Sequence, residues 1–254
     1  MSQTPEQRAA AQQVTAVPLV AHCGRAAAVQ LSAGFGLALL LVGTIVAVEL
    51  AAGWLRWRGA EAGVAVAVLG LGLGRALAVA VLEETLFRGL LLAYLQRPLR
   101  PLGALVVSSG AFALVHAWNA NVSPLAIAGL AAAGALFGLA YLVGRGPGPS
   151  FAAEEAAARG LPALAYVVAR GLPLPIGLHA GWNFFEGSVF GLPVSGSHRD
   201  SLLIAVVDGP EAATGGAFGP EGGLVGFGAM LVTAIVLWSV RGRLPACPSL
   251  TSAR

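Results

Sequence analysis

Val79-Ala80-Val81-Leu82-Glu83-Glu84-Thr85-Leu86-Phe87-Arg88-Gly89-Leu90-Leu91 lies inside an apolar run from Val64 to about Gln96. A bilayer core of about 30 Å takes about 20 apolar residues as helix. This run is longer, so it is expected to tilt, bend or continue past the membrane surface. Two carboxylates and a guanidinium at that depth are costly, and by default they mark function or a buried pair. Glu84 and Arg88 are four apart, so on a helix they share a face and can form an ion pair. Glu83 points about 100° away from Glu84 and is not matched by that arginine. One carboxylate neutralised and one left over suits a general base or acid, but a salt bridge that only locks helices fits the same residues.

The rest of the chain agrees with a membrane setting. Of 254 residues 57% are hydrophobic and only 11% charged, and there are 35 glycines; a soluble chain carries about 25% charged residues. No water-soluble fold of this size hides so much apolar surface. Further windows run from Leu31 to Gly53, Pro101 to Trp118, Ser123 to Gly144, Leu172 to Gly191 and Gly222 to Val240. The expected fold is therefore all-α, a polytopic transmembrane helical bundle of about six spans. More spans follow if the second run is broken or the 145–171 insertion enters the membrane. Residues 1–30 form an N-terminal tail with a polar start that does not read as a cleaved signal peptide. Residues 31–240 form the transmembrane domain, with a motif core over 64–191 and an external loop over 193–221, and 241–254 form a second tail. The insertion carries an Ala/Glu/Arg run from Ala152 to Arg159 that suggests a short interfacial helix. Gly70/Gly74 and Gly134/Gly138 have the small-xxx-small spacing of close helix packing.

Orientation follows from the arginines. With the N-terminus inside, Arg8, Arg25, Arg97, Arg100, Arg145, Arg159, Arg170, Arg241, Arg243 and Arg254 fall on the inner side. Arg56, Arg58 and Arg199 fall outside, so the expectation is a multi-pass protein of the cell membrane with both termini cytoplasmic. The arginines form no basic stripe, which argues against a nucleic-acid partner. Lysine is absent, so Schiff-base chemistry is excluded. Cys23 and Cys247 offer neither a disulfide framework nor a zinc knuckle.

Two more polar clusters lie in spans. Phe112 and His116 share a helical face, as do His179 and Asn183. Glu186 returns to almost the face of His179 and reads as a residue lining the outer mouth. Arg75 and Glu49 have no evident partner and read as locking or snorkelling groups. Two carboxylates, an arginine, two histidines and an asparagine on three helices suit hydrolysis: a base for water, a proton donor and donors for an oxyanion.

Glu83-Glu84 with Arg88, then Phe112 with His116, then His179 with Asn183 resemble, in type, order and membrane context, the three motifs of the CPBP family. These are the CAAX-protease and bacteriocin-processing membrane proteins, also called Abi. Phe87-Arg88-Gly89-Leu90-Leu91, Pro175-Ile176-Gly177-Leu178-His179 and Gly219-Pro220-Glu221-Gly222 fit the flanking text. The resemblance spans about Val64 to Gly191 and implies an intramembrane endopeptidase. Such enzymes remove the C-terminal tripeptide after a prenylated cysteine, or act in bacteriocin maturation and self-immunity. It implies that Glu83, assisted by His116, activates water, that His179 and Asn183 stabilise the oxyanion, and that Glu84 with Arg88 supports the site. Its partners would be the lipid bilayer and a peptide or lipidated protein substrate. The insertion between Gly144 and Leu172 is the departure from the pattern.

No cofactor is expected, although Glu83, His116 and His179 would also make a two-histidine, one-carboxylate zinc site. A catalytically silent immunity or scaffold protein is the rival reading from another class. With straight helices Glu83 and His116 lie about 20 and about 22 Å from the inner surface, and His179 only about 10 Å. The motifs nevertheless require Glu83, His116 and His179 to converge around a polar cavity, which is expected to open toward the cytoplasm.

Overall fold

The computed structural model describes residues 5–60, 65–145 and 171–245, with side chains over 24–60, 66–145 and 171–245. The expected interfacial helix over Ala152–Arg159 lies outside them. Helix α1 runs Pro5–Ala51 and is followed by strand β1, Leu55–Ala60. Helix α2 runs Ala65–Glu84, then continues through a π-helical stretch, Thr85–Leu92, and a last turn, Ala93–Leu95. The long run is thus one helix whose register changes at the carboxylates, and π-helical turns frequently sit at functional sites. Helices α3 (Pro101–Val115), α4 (Pro124–Gly144) and α5 (Pro173–Asn183) follow, and α5 continues π-helically over Phe184–Val189. Strand β2 (Leu203–Val207), the short α6 (Glu211–Thr214) and α7 (Leu224–Ser239) complete the order.

The starts of these helices are written locally. Proline occupies the first turn of α3, α4 and α5, where a missing N–H costs nothing. Ser123 caps α4, its Oγ accepting from the Ala126 N–H at 3.1 Å. The apolar pattern runs inside out: Val66 is 89% and Leu71 77% exposed, surface that water would not tolerate over whole helices and lipid does. Gly24–Ala51, Val66–Leu95 and Pro124–Gly144 are long and apolar enough to cross a membrane, and Pro101–Val115 and Leu224–Ser239 are shorter apolar helices. Six helical segments therefore stand at the six expected windows, and three of them meet the length of a span.

The fold is not all helix. β1 and β2 pair antiparallel from Leu55↔Val207 to Ala60↔Leu203, with an irregularity between Trp57 and Gly59. Arg56 and Asp208 form an ion pair beside this ladder. The segment expected as an external loop therefore carries a strand, and its partner follows α1. Five- and six-residue strands some 150 positions apart leave no periodic signal in a chain this apolar.

Glycines set the closest approach. A Cβ at Gly34 would collide with the Leu174 carbonyl, and one at Gly177 with the Leu31 carbonyl, so α1 and α5 meet backbone to backbone. Gly134 and Gly138 face Ser109 and Leu105 of α3. Gly70 and Gly74, singled out by the same spacing, face nothing within 4 Å. Spacing alone does not say which face of a helix meets a neighbour.

The bundle has two distinct ends. At one, the Gln30 side-chain amide donates to the carbonyls of Gly144 and Pro245 at 2.8 and 2.7 Å, and Arg145 Nη1 donates to Gln96 Oε1 at 3.1 Å. At the other are the sheet, the 116–123 turn and the 190–223 segment, tied by Asn119 Nδ2 donating to the Ser195 carbonyl at 3.0 Å.

Gly177→Ala is expected to lower the melting temperature in detergent strongly, because neither backbone can retreat without losing the α1–α5 contact. Gly70→Ala is expected to be neutral or slightly stabilising. Equal melting temperatures for the two variants would show that α1 and α5 are not packed this closely.

Candidate active site

Glu84, the last residue of α2 before its π-helical stretch, has no exposed surface, and neither has Arg88. Arg88 Nη1 donates to Glu84 Oε1 at 2.8 Å, and Nη2 to the Gly134 carbonyl at 2.8 Å. The guanidinium carbon lies 4.7 Å from the Phe112 ring centroid and 5.3 Å from that of Phe137. A buried charge is tolerable only when paired and hydrogen-bonded, and Arg88 has a carboxylate, a carbonyl and aromatic faces.

The same Glu84 Oε1 lies 2.9 Å from His179 Nδ1. A carboxylate held by an arginine only accepts, so Nδ1 carries the proton and donates. The ring is then fixed with Nε2 toward Glu83 Oε2, at 3.8 Å. Phe137 stacks on the imidazole, with centroids 4.6 Å apart and planes 12° from parallel. His116, at the C-terminal end of α3, places Nδ1 2.7 Å from the Phe112 carbonyl. A carbonyl also only accepts, so His116 too directs Nε2 at Glu83 Oε2, 4.0 Å away. Phe112 packs edge-on against Phe87 at 5.2 Å and lies 4.8 Å from the His116 ring. Glu83 Oε2 is thus within one bridging water of each imidazole. Asn183, one turn after His179, lines the same cavity.

His179 reaches the depth of Glu83 because α5 does not begin at the surface. Leu172 is fully buried, with its methyl 3.3 Å from where a Cβ of Gly89 would stand. Gly89 is seven residues inside Gln96, about 10 Å along a helix, which accounts for the shortfall of the straight-helix reckoning.

The cavity has a volume of about 300 Å³. Besides the motif residues it is lined by Asn119, Ser195, Ser197, Arg199 and Glu221, all from the end that carries the sheet. Leu92, Tyr141 and Leu172 belong to a separate buried apolar cluster. The cavity thus opens on the end that the arginine bias assigns to the outside.

Glu221 carries a part that sequence reading passed over as flanking text. It is buried, and its Oε1 accepts from Trp182 Nε1 at 3.2 Å and Ser195 Oγ at 3.1 Å. Burial pushes its carboxyl above the ordinary range, and these hydrogen bonds oppose the shift. A Cβ at Gly129 of α4 would collide with the Glu221 carbonyl, and Gly219 has φ 106°, which explains the glycines around it. Glu186, expected at the mouth, is instead fully buried and within electrostatic reach of Glu221. Glu49 is also buried rather than snorkelling, whereas Arg75 is exposed and acts electrostatically on Arg199.

Among the described residues no group of three or more His, Cys, Asp or Glu side chains gathers as a metal ion would require.

Residues 65–154 match the Rce1-like family model, that of type II CAAX prenyl endopeptidases. The match covers about a third of the chain. It includes Glu83, Glu84, Arg88, Phe112 and His116, stops before His179 and Asn183, and agrees with the resemblance to the CPBP family. No curated protein and no solved structure matches the chain. With its apolar helices, the chain is similar to membrane endopeptidases of this type.

Glu84→Ala and Arg88→Ala are each expected to lower folded yield and thermal stability more than Glu83→Gln. Either leaves the partner charge buried and unpaired, which costs about 3–5 kcal/mol in soluble proteins. Wild-type yield and melting from both variants would mean that the pair does not hold the bundle.

Proposed function

We propose that this protein is an intramembrane endopeptidase in which Glu83 activates water. The observation that carries this reading is the unpaired Glu83 carboxylate between two imidazole Nε2 atoms, 3.8 and 4.0 Å away, with Glu84 already committed to Arg88 and His179. Glu83 Oε2 is buried and makes no hydrogen bond.

Glu83 Oε2 takes a proton from a water that His116 Nε2 helps to hold, and the hydroxide adds to the scissile carbonyl carbon. His179, held through Nδ1 by Glu84, and the Asn183 amide face the oxyanion and stabilise it. Collapse of the tetrahedral intermediate breaks the C–N bond, and Glu83 returns its proton to the leaving amine. Substrates of this reading are a peptide or a lipidated protein, cut near its C-terminus in the CAAX manner; bacteriocin-related processing is the other substrate class. A silent immunity or scaffold protein is disfavoured, because helix packing has no use for an unpaired Glu83.

Glu83→Gln is expected to abolish cleavage of a tagged peptide library by purified protein in detergent, with inserted and folded protein at wild-type level. Chelator is expected to leave wild-type cleavage unchanged. Turnover by Glu83→Gln would overturn the glutamate mechanism, and loss of activity on chelation would replace it with a metal-assisted one.

On the arginine bias both termini are cytoplasmic, and the peptide then enters from the opposite face. In a variant with Cys23 and Cys247 replaced by serine, Ser197→Cys should react with a membrane-impermeant maleimide on intact cells, and Leu99→Cys only after permeabilisation. The reverse pattern would invert the orientation, and labelling of both from one side would overturn the six-span reading.

A further inference from the structure

We propose that Arg199 is the anchor for the free C-terminal carboxylate of the substrate. The inference rests on the endopeptidase reading above and assigns a residue outside its motifs.

Arg199 lines the cavity at its mouth and is half-buried. Arg56 pairs with Asp208, and Arg88 with Glu84. Among the described residues no carboxylate lies within ion-pair distance of Arg199. Glu186 and Glu221 act on it electrostatically from further off. Glu221, which lines the same cavity, is committed to Trp182 and Ser195, and Glu186 is fully buried outside the lining. Arg75 adds a second positive charge beside it. A half-buried guanidinium with no carboxylate in ion-pair contact among the described residues, facing a polar cavity, is a receptor for a carboxylate, which its planar fork binds through two hydrogen bonds.

Charge runs along the cavity in a direction that orients a peptide. Glu83 repels a carboxylate from the floor, and Arg199 with Arg75 attracts one to the mouth. A three-residue leaving group is at most about 10 Å long, the scale of a cavity of about 300 Å³. With the scissile carbonyl between Glu83 and His179, the C-terminus of such a group comes up at Arg199. Ser197 and the Asn119 amide, also on the wall, supply neutral hydrogen bonds.

The test measures binding without cleavage. Two fluorescent peptides of identical sequence, one ending in a free carboxylate and one in an amide, are titrated against purified Glu83→Gln protein in detergent. The acid is expected to bind at least tenfold more tightly. Arg199→Gln in that background should bring the acid down to the affinity of the amide without changing the amide, and Arg199→Lys should retain part of the preference. In cleavage by protein with Glu83 intact, Arg199→Gln should raise KM for the acid peptide and leave kcat within twofold. Equal binding of acid and amide, or a preference that survives Arg199→Gln, would overturn the assignment. A clear binding preference with no cleavage by wild-type protein would uphold the anchor and overturn the endopeptidase reading instead.

Discussion

The Glu84 carboxylate is the constraint on which the site depends. One of its oxygens receives both the Arg88 guanidinium and the His179 imidazole, at 2.8 and 2.9 Å, with no access to solvent. Three segments of chain are joined there: α2 through both members of the pair, α5 through His179, and α4 through the Gly134 carbonyl that Arg88 also holds. In a membrane the apolar effect between helices is weak, and polar contacts of this kind carry much of the specificity. Satisfying Glu84 in this way leaves its neighbour Glu83 free, turned to a different side of the same helix.

Backbone proximity makes the polar junction possible. α5 lies against α1 through Gly177 and Gly181, next to Gly34 and Ala38, with no side chain to separate them. It begins below the surface, with Leu172 packed on Gly89. Those two features bring His179 level with Glu83. The π-helical stretch of α2 begins one residue after Glu84 and the stretch after α5 one residue after Asn183. Both helices therefore leave regular α geometry beside the cavity.

The mouth is organised by a second buried carboxylate. Glu221 ties the segment before α7 to Trp182 of α5 and to Ser195, and so fixes the wall from which Arg199 faces the cavity. Glu83 thereby stands at the floor and Arg199 at the mouth. This arrangement belongs to the 190–223 segment as much as to the helices, and the small sheet with β1 and the Arg56–Asp208 pair hold that segment against the end of the bundle.

The sequence by itself determined the membrane setting, the six helical segments and the residues of the polar cluster. Composition and the i,i+4 spacings of Glu84/Arg88, Phe112/His116 and His179/Asn183 are local properties, and Pro and Ser mark the helix starts. Only the tertiary structure decided that Glu84 serves His179 as well as Arg88, that Phe137 stacks on His179, and that Glu186 is buried rather than at the mouth. It also decided that Gly177 rather than Gly70 is the close contact, and which end of the bundle the cavity opens on. The physical reason is that helix spacing fixes which residues share a face of one helix, whereas depth and the neighbour a face meets depend on where another helix begins. Pairings such as β1 with β2, or Arg199 with the cavity, join positions too far apart in the chain for any periodicity to record.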